Sequence, residues 1–347
     1  MGMKFSQSRM AIYTAGNMIG TGTHQTLKAL AKDGCGNLLW ANFLFSGMLV
    51  TLSAFPLLHL YGKFPANGCL HQAAVEGLGS QVGKYVSFIN GQLITIELLF
   101  AVTMQASFFG STLASFFPED STGTVAKTAS LGLVSILWAL YRKKGALFTA
   151  NVAYWLGVFE LCTVGLLVLS SPMAYLTGTS LRPISSLMDG SRTDMVKFPS
   201  GIHVAIFAYG GFPGMLQSGD LVENPRENLP LGIVGACIMT MSVYVLLSVS
   251  VLLVVEPQQI ANFTNAFDSL ENVLPKGVLV AISCTVLSSV ANNVMENALV
   301  VVENLHQMVM VEDPRSMLEL PNFGLCSSDI VTLEQSRCSP CSKTRLG

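Results

Sequence analysis

Two stretches of this sequence place glycine where an apolar helix would otherwise continue. The first is Gly16-Asn17-Met18-Ile19-Gly20-Thr21-Gly22-Thr23-His24, and the second is Ile206-Phe207-Ala208-Tyr209-Gly210-Gly211-Phe212-Pro213-Gly214. Glycine frees the backbone to leave helical geometry, and Pro213 removes a hydrogen-bond donor. A helix that stops leaves N–H groups bare on one side of the break and carbonyls on the other. N–H groups at the positive end of a half-helix suit a carboxylate, whereas carbonyls suit a cation or an ammonium. An α-amino acid carries both groups on one carbon, so two facing breaks can grip its zwitterion without a charged side chain. A second reading uses the same residues: Gly16 and Gly20 also fit a G-x-x-x-G contact, in which small residues let two helices approach.

Four carboxylates, Glu97, Glu160, Glu296 and Glu303, lie in or at the ends of apolar runs. A charge at bilayer depth is costly, so each is a functional candidate. Glu97 sits mid-run between Gln92 and Gln105, which predicts that it faces a bundle interior; a proton or cation role and a structural hydrogen bond both stay open. Asn292, Asn293 and Glu296 share one stretch and face either a cavity or helices absent from this chain. His24, after the first break, is either a pH-sensitive gate or a neutral packing residue. His59 is a pore-side or interfacial polar residue with no assigned role. Tyr209 either acts within the site or packs. No nucleotide loop, metal-ligand cluster or nucleophile–base arrangement appears in the sequence, so neither an enzyme nor a cofactor is expected. Cys162, Cys237 and Cys284 lie in apolar runs as small hydrophobes. Cys338 and Cys341 form a lone C-x-x-C without a second pair or a nearby His, so no metal site is expected there.

The elements that must position these groups follow from composition. Of 347 residues, 51% are apolar and 12% charged, where a soluble protein carries about 25% charged residues. Mean hydropathy is +0.53. This excludes a cytosolic globular enzyme, a disordered chain and a nucleic-acid binder, which needs a basic surface. The expected fold is all-α, a polytopic helical bundle in lipid. Apolar runs predict helices over 10–31, 37–61, 84–117, 126–142, 149–172, 200–218, 229–256 and 277–302. The third is too long to stand upright in a bilayer and must tilt or protrude. The basic triplet Arg142-Lys143-Lys144 predicts a cytoplasmic loop, which places the N-terminus inside as well. In that topology Asn262-Phe263-Thr264, a glycosylation triplet, faces outside. Residues 1–9 are then a short cytoplasmic N-terminus, 10–302 the transmembrane domain with about eight helices, and 303–347 a polar cytoplasmic tail.

At the two breaks the sequence resembles the amino acid–polyamine–organocation superfamily, and most closely the L-type amino acid transporters within it. Gly20-Thr21-Gly22-Thr23-His24 is similar to the family's G-S-G-I-F, with Thr23 and His24 replacing Ile and Phe. Phe207-Ala208-Tyr209-Gly210-Gly211-Phe212 resembles F-A-Y-G-G-W. Asn224-Pro225-Arg226-Glu227-Asn228-Leu229-Pro230 resembles N-P-x-x-N-L-P, Ile96-Glu97-Leu98-Leu99 resembles I-E-L-L, and Pro65-Ala66-Asn67-Gly68 resembles P-x-x-G. The resemblance covers roughly residues 10–302.

The resemblance implies a leucine-transporter-like inverted repeat and sodium-independent exchange of neutral L-amino acids by alternating access at the plasma membrane. It implies that Gly20, Thr21 and Gly22 receive the substrate carboxylate. Phe207 becomes an aromatic gate, while Ala208, Tyr209 and Gly210 offer carbonyls to the amino group. Glu97, Asn293 and Glu296 are the candidates for a coupling role. The partners expected are a small neutral amino acid and membrane lipid, with no nucleic acid. Three features depart from the family. His59 stands where a glutamate is usual. Phe117-Pro118 is followed by Glu119 and Asp120 rather than by the cysteine that links to the family's heavy-chain glycoprotein, so association with that chain is expected to be non-covalent, if it occurs. The apolar pattern stops near Val302, leaving the second repeat incomplete. The alternative reading is therefore a transport-inactive truncated isoform that regulates a full-length relative.

Overall fold

A computed structural model of the chain describes residues 4–33, 35–63, 69–114, 116–118, 122–169, 175, 181–190, 196–211, 215–216, 219–262 and 276–312, without the side chains of 21–25, 69, 80, 166, 220, 262, 276, 278–279, 281–282, 307 and 309–312. The described residues form helices α1 (Gln7–Lys32), α2 (Leu39–Lys63), α3 (Cys69–Leu78), α4 (Ser80–Ala114), α5 (Thr122–Lys144) and α6 (Ala146–Val168). These are followed by α7 (Phe198–Ala208), α8 (Pro225–Val254), α9 (Pro257–Asn262) and α10 (Lys276–Glu312). The only β pairing among the described residues is one isolated parallel bridge between Phe5 and Val222.

Six of these helices, α2, α4, α5, α6, α8 and α10, contain stretches long and apolar enough to cross a membrane. The two remaining runs expected to span are the interrupted ones. α1 reaches 26 residues but bends at Gly20, and α7 has 11 residues and stops at Ala208 rather than running on toward 218. At about 1.5 Å per residue, the 35-residue α4 is roughly 52 Å long, well beyond a hydrocarbon core of about 30 Å. It must tilt or protrude, as its apolar run predicts. α10 continues ten residues past the expected end at 302, so the beginning of the segment read as a polar tail is helical. Residues 313–347, with Cys338 and Cys341, lie outside the described residues.

The bundle is inverted relative to a soluble protein in what it exposes. Leu52, Phe55, Phe100, Met104, Leu131, Ile136 and Trp155 all point outward, which is stable only where the surroundings are apolar. α5 buries nothing in its spanning stretch, whereas most of the α10 stretch is buried. α10 is thus a central element, packed on α4, α6 and α1, and α1 in turn packs on α8, α6 and α7.

Several polar groups inside this bundle are paired across helices. Thr285 of α10 donates to Thr163 of α6 (2.9 Å), and Ser250 of α8 donates to the Val168 carbonyl (2.7 Å). Asn297 of α10 donates to Gln105 of α4 (3.0 Å). His71 on α3, fully buried, lies between Ser87 Oγ (2.8 Å) and Asn304 Oδ1 (3.2 Å). Asn304 also donates to the Gly91 carbonyl (2.8 Å) and Thr95 Oγ1 (2.9 Å). Since Asn304 Oδ1 only accepts, the His71 Nε2–H donates to it.

The ends of α8 explain two sequence features. Asn224 adopts a left-handed conformation (φ 45°, ψ 61°) at the N-cap, and Pro225 occupies the first turn, where its missing N–H costs nothing. Asn228 Nδ2 reaches back to the Glu223 carbonyl (2.5 Å), so the N-P-x-x-N-L-P string builds a helix start. At the other end, Arg182 donates to the Leu252 carbonyl (2.9 Å) and to Asn37 Oδ1 (3.0 Å). A guanidinium is well placed at the negative end of a helix, where the last carbonyls lack donors.

Candidate functional site

The first break is located by backbone geometry. Gly20 has φ 7° and ψ −127°, inside an otherwise helical segment. An interruption there puts the carbonyls of the preceding turn at risk of losing their donors. Side chains from two other helices serve them. Tyr244, in the middle of α8, places its hydroxyl 2.7 Å from the Met18 carbonyl and 3.2 Å from that of Ile19. Asn293 of α10, with its amide nitrogen turned to the carbonyls, donates to Asn17 O (3.2 Å) and Gly16 O (3.3 Å).

The second break follows Ala208. The Tyr209 and Gly210 N–H groups close tight turns onto the Ile206 and Phe207 carbonyls. Gly211 then takes φ 105°, a conformation L side chains rarely adopt. Phe212, Pro213 and Gly214 lie outside the described residues.

The two breaks meet. The Tyr244 hydroxyl that faces Met18 and Ile19 also lies 2.9 Å from the Ala208 carbonyl. One phenolic proton is therefore surrounded by three carbonyls drawn from both interruptions. Gly211 approaches Asn17 so closely that a Cβ on it would sit 3.1 Å from the Asn17 amide. The Asn17 amide nitrogen is buried and donates to no partner among the described residues. The groups around this junction (Asn17, Asn293, Tyr209, Tyr244 and backbone) are all uncharged.

The residues singled out in the sequence fall into three groups. Gly20 sits at the junction, with the Asn293 amide filling the direction in which a Cβ would point, 1.7 Å away. The backbone of Thr21 and Gly22 continues helically beyond the bend, but the side-chain positions of Thr21 and His24 lie outside the described residues. Ala208 and Tyr209 are buried, and Gly210 follows in the turn. The Tyr209 ring packs: its hydroxyl donates to the Phe43 carbonyl (2.7 Å) and its edge meets Tyr244. Phe207 is 73% exposed, on the open side of the last turn of α7, edge-on to His203.

The two glycines of the first stretch play different structural parts. Gly16 is a packing glycine: a Cβ there would lie 3.0 Å from Gly157 Cα on α6. Gly20 is the break. The carboxylates also separate. Glu97 lies on the exposed side of α4, not toward the bundle interior as its neighbours suggest. Glu160 and Glu296 are buried, with Ser289 donating to Glu160. His59 is exposed. Tyr244 and Asn17 were not picked out from the sequence. A lone tyrosine inside a 30-residue apolar helix is the signal that could have found the first, since its hydroxyl needs a partner.

Two interrupted helices, joined inside a bundle of membrane-length helices, define a polytopic membrane protein with a polar junction at its core. The family model described as "Amino acid permease" matches residues 5–305. The chain belongs to the amino acid permease family. It is 24% identical over 215 residues to the inner membrane transport protein YbaT of Escherichia coli, an alignment covering 61% of this chain and 47% of that protein. It is 24% identical to the methylthioribose transporter of Bacillus subtilis, covering 67% of this chain and 51% of the relative. Identity to the mitochondrial cationic amino acid transporter 3 of Arabidopsis thaliana is 25%, covering 67% and 40%. The chain thus matches about half the length, or less, of these relatives.

Proposed function

We propose that this chain forms the substrate-binding part of an amino acid transporter, taking an α-amino acid at the junction of the two breaks. The single observation that supports this most is the Tyr244 hydroxyl, which joins carbonyls of both interruptions at one point. A zwitterion needs donors and acceptors within a few ångströms, and this junction supplies both without charged side chains. In this reading the backbone at Gly20, Thr21 and Gly22 receives the carboxylate, helped by the free Asn17 amide. The carbonyls at Ala208, Tyr209 and Gly210 face the amino group, with Ala208 sharing its lone pairs between Tyr244 and substrate. Phe207, on the open side, swings over the occupied site as a gate.

The uncharged lining favours a neutral side chain on the substrate, although two of the relatives are named for cationic amino acids and for methylthioribose. The finer reading is an L-type exchanger at the plasma membrane, N-terminus inside, sodium-independent, paired non-covalently if at all with a heavy-chain glycoprotein. Proteoliposomes containing only this chain test it. The expected result is counterflow of labelled leucine that excess arginine does not compete, lost in Phe207→Ala at equal protein incorporation. Flux that Phe207→Ala leaves intact removes the gate. Silent vesicles, with a longer homologue co-purifying from cells, favour a regulatory subunit instead.

A further inference from the structure

The first half of α5 is closed tightly against α4, where a Cβ on Gly110 would run into the Ala126 carbonyl and Ser130 Oγ. A turn further along α5 the helices part, and a crevice of about 450 Å³ opens. Val102 of α4, Val134, Trp138 and Tyr141 of α5, Thr149 of α6 and Leu299 of α10 line it. From Val134 to Tyr141 the crevice follows α5 for about 10 Å, at about 1.5 Å per residue. Its walls are almost wholly apolar. The Thr149 hydroxyl is spent on the Gly145 carbonyl (2.9 Å). Val134 and Trp138 reach the crevice while staying exposed on the outer surface, so it opens outward, toward lipid.

One end of the crevice carries concentrated positive charge. Arg142, Lys143 and Lys144 follow Tyr141 directly and are exposed. Lys144 Nζ lies 5.8 Å over the Phe148 ring of α6, so one ammonium stands on the α6 side of the mouth. Trp138 stacks with Tyr141, ring centroids 6.3 Å apart, and such amphipathic rings favour the level where headgroups begin. Glu303 of α10 is close enough to act on Tyr141 electrostatically, one negative charge against three positive ones. Shape and charge together specify the occupant. An amino acid would find no partners for its charges inside the slot. A second helix, about 10 Å across, is as wide as the crevice is long. A hydrocarbon chain joined to an anion satisfies both ends.

We propose that this crevice binds one acyl chain of an anionic glycerophospholipid, whose phosphate is held by Arg142, Lys143 and Lys144. The guanidinium can take two phosphate oxygens at once, while the lysines add point charges. The chain lies among α4, α5, α6 and α10 in a slot that polar ligands cannot use. α5 buries no residue of its spanning stretch within the bundle, so the lipid completes the packing of its second half and ties it to α10. Basic loops stay on the cytoplasmic side, and the cytoplasmic leaflet is the one rich in anionic lipid. The site does not depend on what the junction of the two breaks binds.

Fluorescence quenching on the full chain in nanodiscs reads the site through Trp138. The difference between wild type and Trp138→Phe isolates that indole from Trp40 and Trp155. Phosphatidylglycerol or phosphatidylcholine with brominated acyl chains is added at equal fraction to a neutral bilayer. One basic side chain at a membrane surface is worth roughly a fivefold preference for anionic lipid (~1 kcal/mol). The expected result is quenching of Trp138 with a preference for phosphatidylglycerol of about fivefold or more. Replacing Arg142, Lys143 and Lys144 together by Gln should abolish the preference, and about 0.5 M salt should weaken it in the wild type without any substitution. Ala298→Phe, which puts a ring into the crevice from α10, should reduce quenching by both lipids. Equal quenching by the two lipids in the wild type at low salt overturns the proposal. A phosphatidylglycerol preference that survives Ala298→Phe shows that the basic turn only gathers lipid around the protein, and overturns the crevice site equally. Competition by millimolar inorganic phosphate would assign a free-anion site and also overturn it. None of these measurements involves transport, so the lipid site and the transport reading can fail separately.

Discussion

Gly20 and Asn293 occupy each other's space, and this makes the first break fragile to a single methyl group. A Cβ on Gly20 would lie 1.7 Å from the Asn293 amide group, and the backbone there is non-helical. Gly20→Ala should therefore lower the thermal midpoint of the purified protein by several degrees and eliminate amino acid binding. Adding Asn293→Gly should relieve the clash and recover only part of the midpoint, without the binding, because the Gly16 and Asn17 carbonyls lose their donor. A midpoint unmoved by Gly20→Ala would show that the helix bends elsewhere. Tyr244→Phe is the complementary test. Removing one hydroxyl strips the shared donor from Met18, Ile19 and Ala208, and leaving buried acceptors unpaired costs about 1–3 kcal/mol each. The expected loss shows in a denaturation curve and in weaker substrate protection against unfolding. Cys35 offers a milder check on the packing. Its thiol is buried and, mainly through that burial and then through the charge of Asp33, pushed up to about 11. Alkylation by a maleimide should be slow at pH 7 and accelerate toward pH 11. Fast labelling at neutral pH would mean that the α1–α2 connection is open.

Among the elements, the sequence and the structure agree best where helices are long and apolar throughout. α2, α4, α5, α6, α8 and α10 were legible because a span needs no periodicity, only length. Agreement fails where helices are short or mixed. α3, Cys69–Leu78, carries His, Gln and Glu within ten residues and is absent from the sequence reading. Its purpose appears only in three dimensions, where His71 binds Ser87 of α4 and Asn304 of α10, 233 residues away. The early end of α7 was written in Gly210-Gly211, yet apolar residues beyond it suggested continuation. The end of α10 was hidden because its last turns mix Leu305 with Glu303 and His306. At residue level the two break motifs were legible, but Tyr244 was not tied to them, since its partner Met18 lies 226 residues earlier. The α3–α4–α10 lock carries its own prediction. Asn304→Leu leaves the Gly91 carbonyl, Thr95 and His71 Nε2 without their common partner. We expect a loss of about 2 kcal/mol or more, seen as a lower midpoint in detergent. Hydrogen exchange in α3 should rise by the same substitution, while exchange at the Gly20 break stays as it was. Equal loosening of both regions would mean that α3 is not a separate clamp.

For the whole molecule, the direction in which the bundle faces decides the cellular side of each opening of the proposed substrate junction. Charge supplies one vector. Arg142, Lys143 and Lys144 end α5, where positive side chains also meet the negative end of the helix. Basic loops of this kind stay on the cytoplasmic side. Two spans later the chain should emerge on the same side before α8, at the Asn224-Pro225 turn, to which Phe5 is hydrogen-bonded (Phe5 N to Leu221 O, 2.8 Å). The N-terminus and the α8 start are therefore on one face of the bundle whatever its orientation. α9 lies at the opposite end of α8, close to the start of α2, and its last residue is Asn262. If the basic turn is cytoplasmic, Asn262 faces the lumen during synthesis and is open to glycosylation. Expression in a eukaryotic cell should give a band that glycosidase shortens in the wild type and not in Asn262→Gln. An acceptor triplet inserted between α5 and α6 should stay bare. The reverse pattern, sugar on the engineered triplet and none on Asn262, would turn the molecule over, and the two openings of the junction would exchange their cellular sides while its internal geometry stayed the same.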